Sequence, residues 1–305
     1  MMKQFPAVLA ALLAIGLTRP GFADEAPTAP TTVLAPMEAH PALWTAHGKK
    51  GTAYLFGSVH VLPQQVDWHT KSIDAAIAKA DVFVFELPVE EDLQTHIQNY
   101  VKTRGTLPPD KHLRDMLSPK AREAFDREIA KLPMPASAFD HMRPWLADVT
   151  IDVMDIQNQH YSRQAGIEEQ LKKEIAARNK PVIGLETVDQ QLSLLVPDDP
   201  KVELQNFESD LENAKADNDK IGPLLDAWMQ GDVRKLAHLT AADMKDYPQL
   251  RKVLIEDRNQ AWVKKIVALL NENKTYFIAV GAAHLVGPRG VPALLRKQGL
   301  KVDGP

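Results

Sequence analysis

Two short apolar stretches, far apart in the chain, end in the same way. Tyr54-Leu55-Phe56 runs into Gly57-Ser58-Val59-His60, and Tyr276 to Val280 runs into Gly281-Ala282-Ala283-His284; two aliphatic residues follow each histidine. Both stretches are too short for helices and are cut by glycine, so they read as buried strands that each deliver a histidine just past their end. Ahead of the first, Ala42 to Ala46 and Thr52 to Phe56 flank a turn with two glycines, which predicts a β-hairpin. After it, Ile73, Ala76, Ile77 and Ala80 fall on one helical face, and Val82-Phe83-Val84-Phe85 follows as a fully apolar strand with Glu86 at its end. That strand–helix–strand order is βαβ-like, with His60 and Glu86 at the sheet edge where open α/β sheets bind ligands.

From about 90 to 250 the pattern turns to the helical period. Ser118-Pro119 forms an N-cap and first helical position ahead of Ala121, Phe125, Ile129 and Leu132, and Trp145, Leu146, Val149 and Val153 mark a further buried helix. Gly166-Ile167-Glu168 opens a helix with Ile167, Leu171 and Ile175 on one face; Val182 to Leu185 is a strand ending in Glu186. A helix through Leu254 and Ala261 carries Arg258 and Asn259, Val291 to Leu295 is helical, and Leu300 to Val302 is a last strand. The fold class is therefore α/β (α+β): a mixed sheet built from the N- and C-terminal parts, flanked by helices, around a mostly helical middle. The paired Gly-x-x-His segments also raise an internal duplication.

Residues 1–23 have a different texture. Lys3, the apolar run Val8 to Leu17 and the small residues of Gly21-Phe22-Ala23 fit a cleaved secretory signal, with an uncleaved anchor as the alternative. Residues 24–40, rich in Ala, Pro and Thr, read as a flexible lead-in, and 41–305 as one domain. No later stretch is apolar enough for a membrane helix, so the expected location is periplasmic or secreted. The net charge of −4 speaks against a nucleic-acid partner. The chain has no cysteine, so thiol nucleophiles, disulfides and thiolate metal sites are excluded, and any metal must rest on His, Asp, Glu or backbone oxygen.

His60 and His284 with Glu86 make a set of two imidazoles and a carboxylate that can hold a divalent metal of unspecified identity and leave a position for water. Each histidine could instead cap its strand through hydrogen bonds. Gly57 and Gly281 let the backbone turn or come close to a ligand. Glu168 and Glu186 are further carboxylates, open to roles as base, ligand or ligand-orienting partner, or to ordinary helix-start and ion-pair roles. Arg258 lies on or beside an apolar stripe, placed to clamp a carboxylate or steady an oxyanion, or to form an ion pair.

The chain resembles the TraB/GumN family, which includes the Tiki-type metalloproteases. The resemblance is carried by Leu43-Trp44, Gly57 to Pro63, Ala80-Asp81 with Glu86, Gly166-Ile167-Glu168, Gly184-Leu185-Glu186-Thr187 with Gln190, Trp228 with Gly231-Asp232, Arg258-Asn259, and Gly281 to Gly287 with Gly290. It implies a core related to the erythromycin esterase and ChaN-like proteins, and a metal-dependent hydrolase acting on peptide bonds. It also implies that His60, Glu86 and His284 line the centre, with Arg258 beside them. Glu168 stands where the family's Gly-x-Asp motif has aspartate. Glu86, Arg258 and Glu186 are thus the expected catalytic groups, His60, Glu86 and His284 the expected ligands, and Glu168 and Asn259 residues that orient them. The expected partner is a peptide or protein substrate. The alternatives are a non-catalytic haem- or metal-binding protein, which the ChaN-like kinship permits, and a polysaccharide-export accessory, by analogy with GumN.

Overall fold

The computed structural model describes residues 37–62, 66–88, 93–159, 161–197, 199–214, 221–245 and 247–305. The expected signal at 1–23 and most of the lead-in lie outside the described residues. The last four residues of that lead-in are part of the fold: Met37–Glu38 (β1) pairs with Val66–Asp67 (β4), Ala39 donates to the Asp67 carbonyl at 2.7 Å, and His40 donates to that of Met229 at 2.6 Å.

The main sheet has six strands in the order β6-β5-β7-β3-β2-β8. These are Leu43–His47 (β2), Thr52–Ser58 (β3), Val82–Phe85 (β5), Val182–Gly184 (β6), Thr275–Gly281 (β7) and Lys301–Asp303 (β8). The four strands from β6 to β3 run parallel, and β2 and β8 close one edge antiparallel. The fold class and the hairpin match the sequence reading. The strand–helix–strand unit does not place its strands side by side, because β7 from the far end of the chain inserts between β3 and β5. Asp81 fixes that insertion: its backbone N–H donates to the Thr275 carbonyl, and its carboxylate accepts from Thr275 N–H, both at 2.8 Å.

The central strands are apolar on both faces because helices cover both. Leu55, Val84, Ile278 and Val280 face one layer, with Trp262, Val263, Ile266 and Leu295. Phe56, Phe83, Phe85 and Phe277 face the other, with Ile73, Ile77, Ile167 and Leu171. Helices Lys71–Lys79 (α1) and Ile167–Ala176 (α2) belong to that second layer. The middle of the chain builds its own core around Leu113, Phe125, Phe139 and Phe207. Helix Pro119–Ile129 starts, as expected, with the Ser118 hydroxyl accepting from Ala121 N–H. No helix of the described residues is long and apolar enough to cross a membrane.

Candidate functional site

The parallel pairing of β3 with β7 puts the two Gly-x-x-His segments next to each other, but one residue out of step: Ser58, not Gly57, lies opposite Gly281. Beyond the strand ends they also differ in conformation. Val59 and His60 continue as irregular chain, whereas Ala282–His284 turns into a 3₁₀ helix. They are neighbours presenting their histidines differently, not two copies of one presentation. Gly57 is needed for contact, since a side chain there would meet Ala282 at 3.0 Å. Gly281 is needed at the centre: a Cβ there would lie 3.2 Å from Glu86 Oε1 and 3.8 Å from His60 Nε2.

Glu86 follows β5 and is 3% exposed. Its Oε1 accepts from Gly281 N–H at 2.7 Å; its Oε2 accepts from Gln191 Nε2 at 3.1 Å and from Arg258 Nη2. Burial pushes its pKa up, but Arg258, His284, His60 and the Gly281 N–H together hold it down at about 2. Glu186, after β6, receives Arg258 as a fork, Nε to Oε2 at 3.1 Å and Nη2 to Oε1. With fewer compensating partners, its pKa is raised by burial.

Arg258 has five N–H donors, and each has an acceptor. Nη1 donates to the Leu254 carbonyl and to His284 Nε2, both at 3.1 Å; Nε and Nη2 serve Glu186 and Glu86. The guanidinium lies 4.7 Å from the ring centre of Trp262. It follows a π-helical segment, Lys252–Asp257, a rare geometry that concentrates at functional positions.

The state of His284 follows from Asn259. The Asn259 Nδ2 donates to the carbonyls of His284 at 3.2 Å and Arg289 at 2.8 Å. Carbonyls only accept, so the Asn259 oxygen must face His284 Nδ1, 2.6 Å away, and Nδ1 carries the proton. Nε2 is then the lone pair, and Arg258 donates into it. Burial and Arg258 lower the His284 pKa to about 3, with Glu86 opposing. In this arrangement His284 Nε2 stands 4.0 Å from Glu86 Oε1 with its lone pair already in use.

His60 differs. Its Nε2 is buried and has no hydrogen-bond partner. Its Nδ1 lies 3.6 Å from Glu168 Oε1, which accepts from the Ser58 hydroxyl at 3.0 Å. The placement of Glu168 is set by the glycine two residues earlier. Gly166 lies so close to the His60 carbonyl that a Cβ would sit 2.1 Å from it, and Ile167 N–H donates to Val59 O at 3.0 Å. This docking brings the first turn of α2 onto the strand end.

Among the described residues, His60, Glu86 and Glu168 form the one group whose ligand atoms lie within 4.8 Å of one another. The expected trio was His60, Glu86 and His284. The structure brings all five of His60, Glu86, Glu168, Arg258 and His284 together: Glu168 groups with His60 and Glu86, and His284 Nε2 lies 4.0 Å from Glu86 Oε1. Arg258 and Glu186 lie behind Glu86, paired with each other. Gln191, which donates to both Glu86 and Glu186 (3.0 Å to the latter), escaped the sequence reading. The available signal was the capping box of Thr187 and Gln190, which starts helix Val188–Ser193 and turns Gln191 inward. The donor set of one imidazole nitrogen and two carboxylates suits a divalent cation. The orphaned buried nitrogen of His60 fits that role.

The family described as TraB/PrgY/gumN matches residues 42–304. The uncharacterized protein YbaP of Escherichia coli (strain K12) is 25% identical over 253 residues, 80% of this chain and 87% of that protein. A protein named metalloprotease TIKI homolog, from Amphimedon queenslandica, is 36% identical over 75 residues, and metalloprotease TIKI2 of Danio rerio 39% over 67. These two matches span 23% and 21% of this chain and 15% and 12% of those proteins. No solved structure matches.

Proposed function

The chain belongs to the TraB/PrgY/gumN family, and on that premise we propose that it is an exported metal-dependent hydrolase cleaving peptide or amide bonds. The observation that carries the reading is His60, which has a buried Nε2 with no partner and an Nδ1 3.6 Å from Glu168 Oε1, and which groups with Glu86 and Glu168. Burying a polar atom unpaired costs about 1–3 kcal/mol, and ligation would offset that cost.

His60, Glu86 and Glu168 would hold the cation. Bound there, a divalent ion would lower the pKa of a water and polarise a carbonyl. The remaining residues prepare the ligands. Arg258 and the Gly281 N–H keep Glu86 ionised and fixed in orientation; Glu186 and Gln191 hold Arg258 and Glu86 in turn. Asn259 sets the tautomer of His284, whose Nε2 could turn from Arg258 toward the ion or accept a proton during turnover. Glu168 and His60 also border a narrow cleft of about 20 Å³ with Glu86, Leu87, Leu93, Arg163 and Lys172, room for a water beside the ligands. The partial likeness to proteins named metalloproteases supports the reading. Against the haem alternative, the apolar cavity beside His60 holds about 80 Å³ and is open to the surface, which is not the deep apolar slot a haem would occupy.

The test is cleavage of a peptide library by the purified protein. Activity should vanish with chelator and return with one of Zn²⁺, Mn²⁺ or Co²⁺. Cleavage indifferent to chelator removes the metal, and no cleavage under any ion removes the hydrolase.

A further inference from the structure

His60 has two sides. One faces the acidic cleft. The other forms the end of a separate cavity between the β3 and β7 ends and two helices, Ile221–Met229 and Val233–Asp243. The walls there are apolar: Val61, Leu224, Leu225, Trp228 and Ala283. Of the other polar side chains on its border, Ser58 donates to Glu168 and His284 is bonded through both ring nitrogens, which leaves Thr240. Thr240 is 8% exposed, and its hydroxyl is buried without a hydrogen-bond partner. A threonine within a helix commonly returns its hydroxyl to the carbonyl four residues back, and Thr150 does so, onto Leu146 at 2.6 Å. Thr240 does not. The cavity therefore holds an unpaired hydroxyl and is bordered by the ring of His60.

We propose that this cavity receives one side chain of the substrate and selects for small branched residues, valine, threonine or leucine. This rests on the hydrolase reading above, because it places the scissile bond over His60 and the adjoining side chain on the far side of that ring. Size disfavours larger side chains: about 80 Å³ is well below the 150 Å³ that accepts a benzene ring, so phenylalanine and tryptophan would leave part of their rings outside the open side of the cavity. The apolar walls set the lower limit, since glycine leaves them unfilled and each missing methylene costs roughly tenfold or more in discrimination. The Thr240 hydroxyl gives a substrate threonine a partner it would lack in a purely apolar pocket.

The experiment uses N-acetylated, C-amidated pentapeptides that differ at one position: Gly, Val, Thr, Leu, Phe or Trp. Cleavage is followed with metal supplied, and binding is followed by calorimetry with chelator present. Valine, threonine and leucine peptides should exceed the glycine peptide tenfold or more in either readout, and the aromatic peptides should fall back. Leu224 is half-buried, so it can be changed in both directions. Leu224→Phe should reduce the leucine-to-glycine ratio at least tenfold, and Leu224→Ala should admit phenylalanine. Thr240→Val should abolish any preference for threonine over valine, and it decides the matter if a Leu224 variant does not fold. Cleavage with a flat profile, or with a profile these variants leave unchanged, overturns the pocket and spares the hydrolase. Ranked, variant-sensitive binding without cleavage supports the pocket and overturns the hydrolase. Absence of both overturns both.

Discussion

Arg258 is the residue on which the centre's electrostatics turn. All five of its donors are committed, so it balances Glu86 and Glu186 from behind the site and has none left for a substrate oxyanion. Removing it strands two buried carboxylates. Arg258→Met should therefore cost about 3–5 kcal/mol, read as a lowered urea midpoint at pH 7. Arg258→Lys should recover little of it, because a point charge cannot reproduce the fork. His284 gives a second handle. It is buried and neutral, with its pKa lowered from 6.5 to about 3, so between those values the unfolded chain binds the proton and the folded one does not. Stability of the chelator-treated protein should thus decline as pH falls from 6.5 toward 3. Glu86, lowered from 4.5 to about 2, adds to the decline below 4.5. Glu186, whose pKa is raised, acts in the opposite sense above 4.5. The check is the urea midpoint across pH 4.5–6.5: His284→Gln should flatten its slope, and an unchanged slope contradicts the buried neutral imidazole.

At the scale of elements, the strands and their polar ends were legible because each is an apolar run stopped by glycine or by a carboxylate. His60, Glu86, Glu186 and His284 all stand just past strand ends for that reason. What was not legible was lateral order. Nothing in Tyr276 to Val280 says that it slots between β3 and β5, and a one-residue offset in that pairing decides how the two histidines differ. Ligand sorting was hidden for a related reason: the sequence shows that Arg258 and His284 are present, not that one donates to the other. Glu168 was underrated because its position depends on the approach of Gly166 to the His60 carbonyl. That glycine has an ordinary φ of −60°, so contact, not conformation, demands it. Gly166→Ala should push α2 off the strand end. The expected outcome is at least tenfold weaker metal binding by calorimetry, with circular dichroism little changed, and unaltered binding would detach Glu168 from the site.

For the whole molecule, the sheet collects functional groups from chain positions nearly 200 residues apart, with Glu86 Oε1 and Gly281 N–H in direct contact. The helical middle packs its own core and contributes Glu168, Glu186 and Gln191 to the same edge. Arg258 already balances two of the buried carboxylates, Glu86 and Glu186, and Glu86 also stands with His60 and Glu168 in a group that could hold a cation. The most direct test is the metal content of purified protein, measured by plasma mass spectrometry after dialysis, for the wild type and His60→Ala. The wild type should retain close to one divalent ion per chain, and His60→Ala should lose at least nine-tenths of it while remaining folded. Equal metal in the two proteins, or none in the wild type after reconstitution, would contradict the assignment.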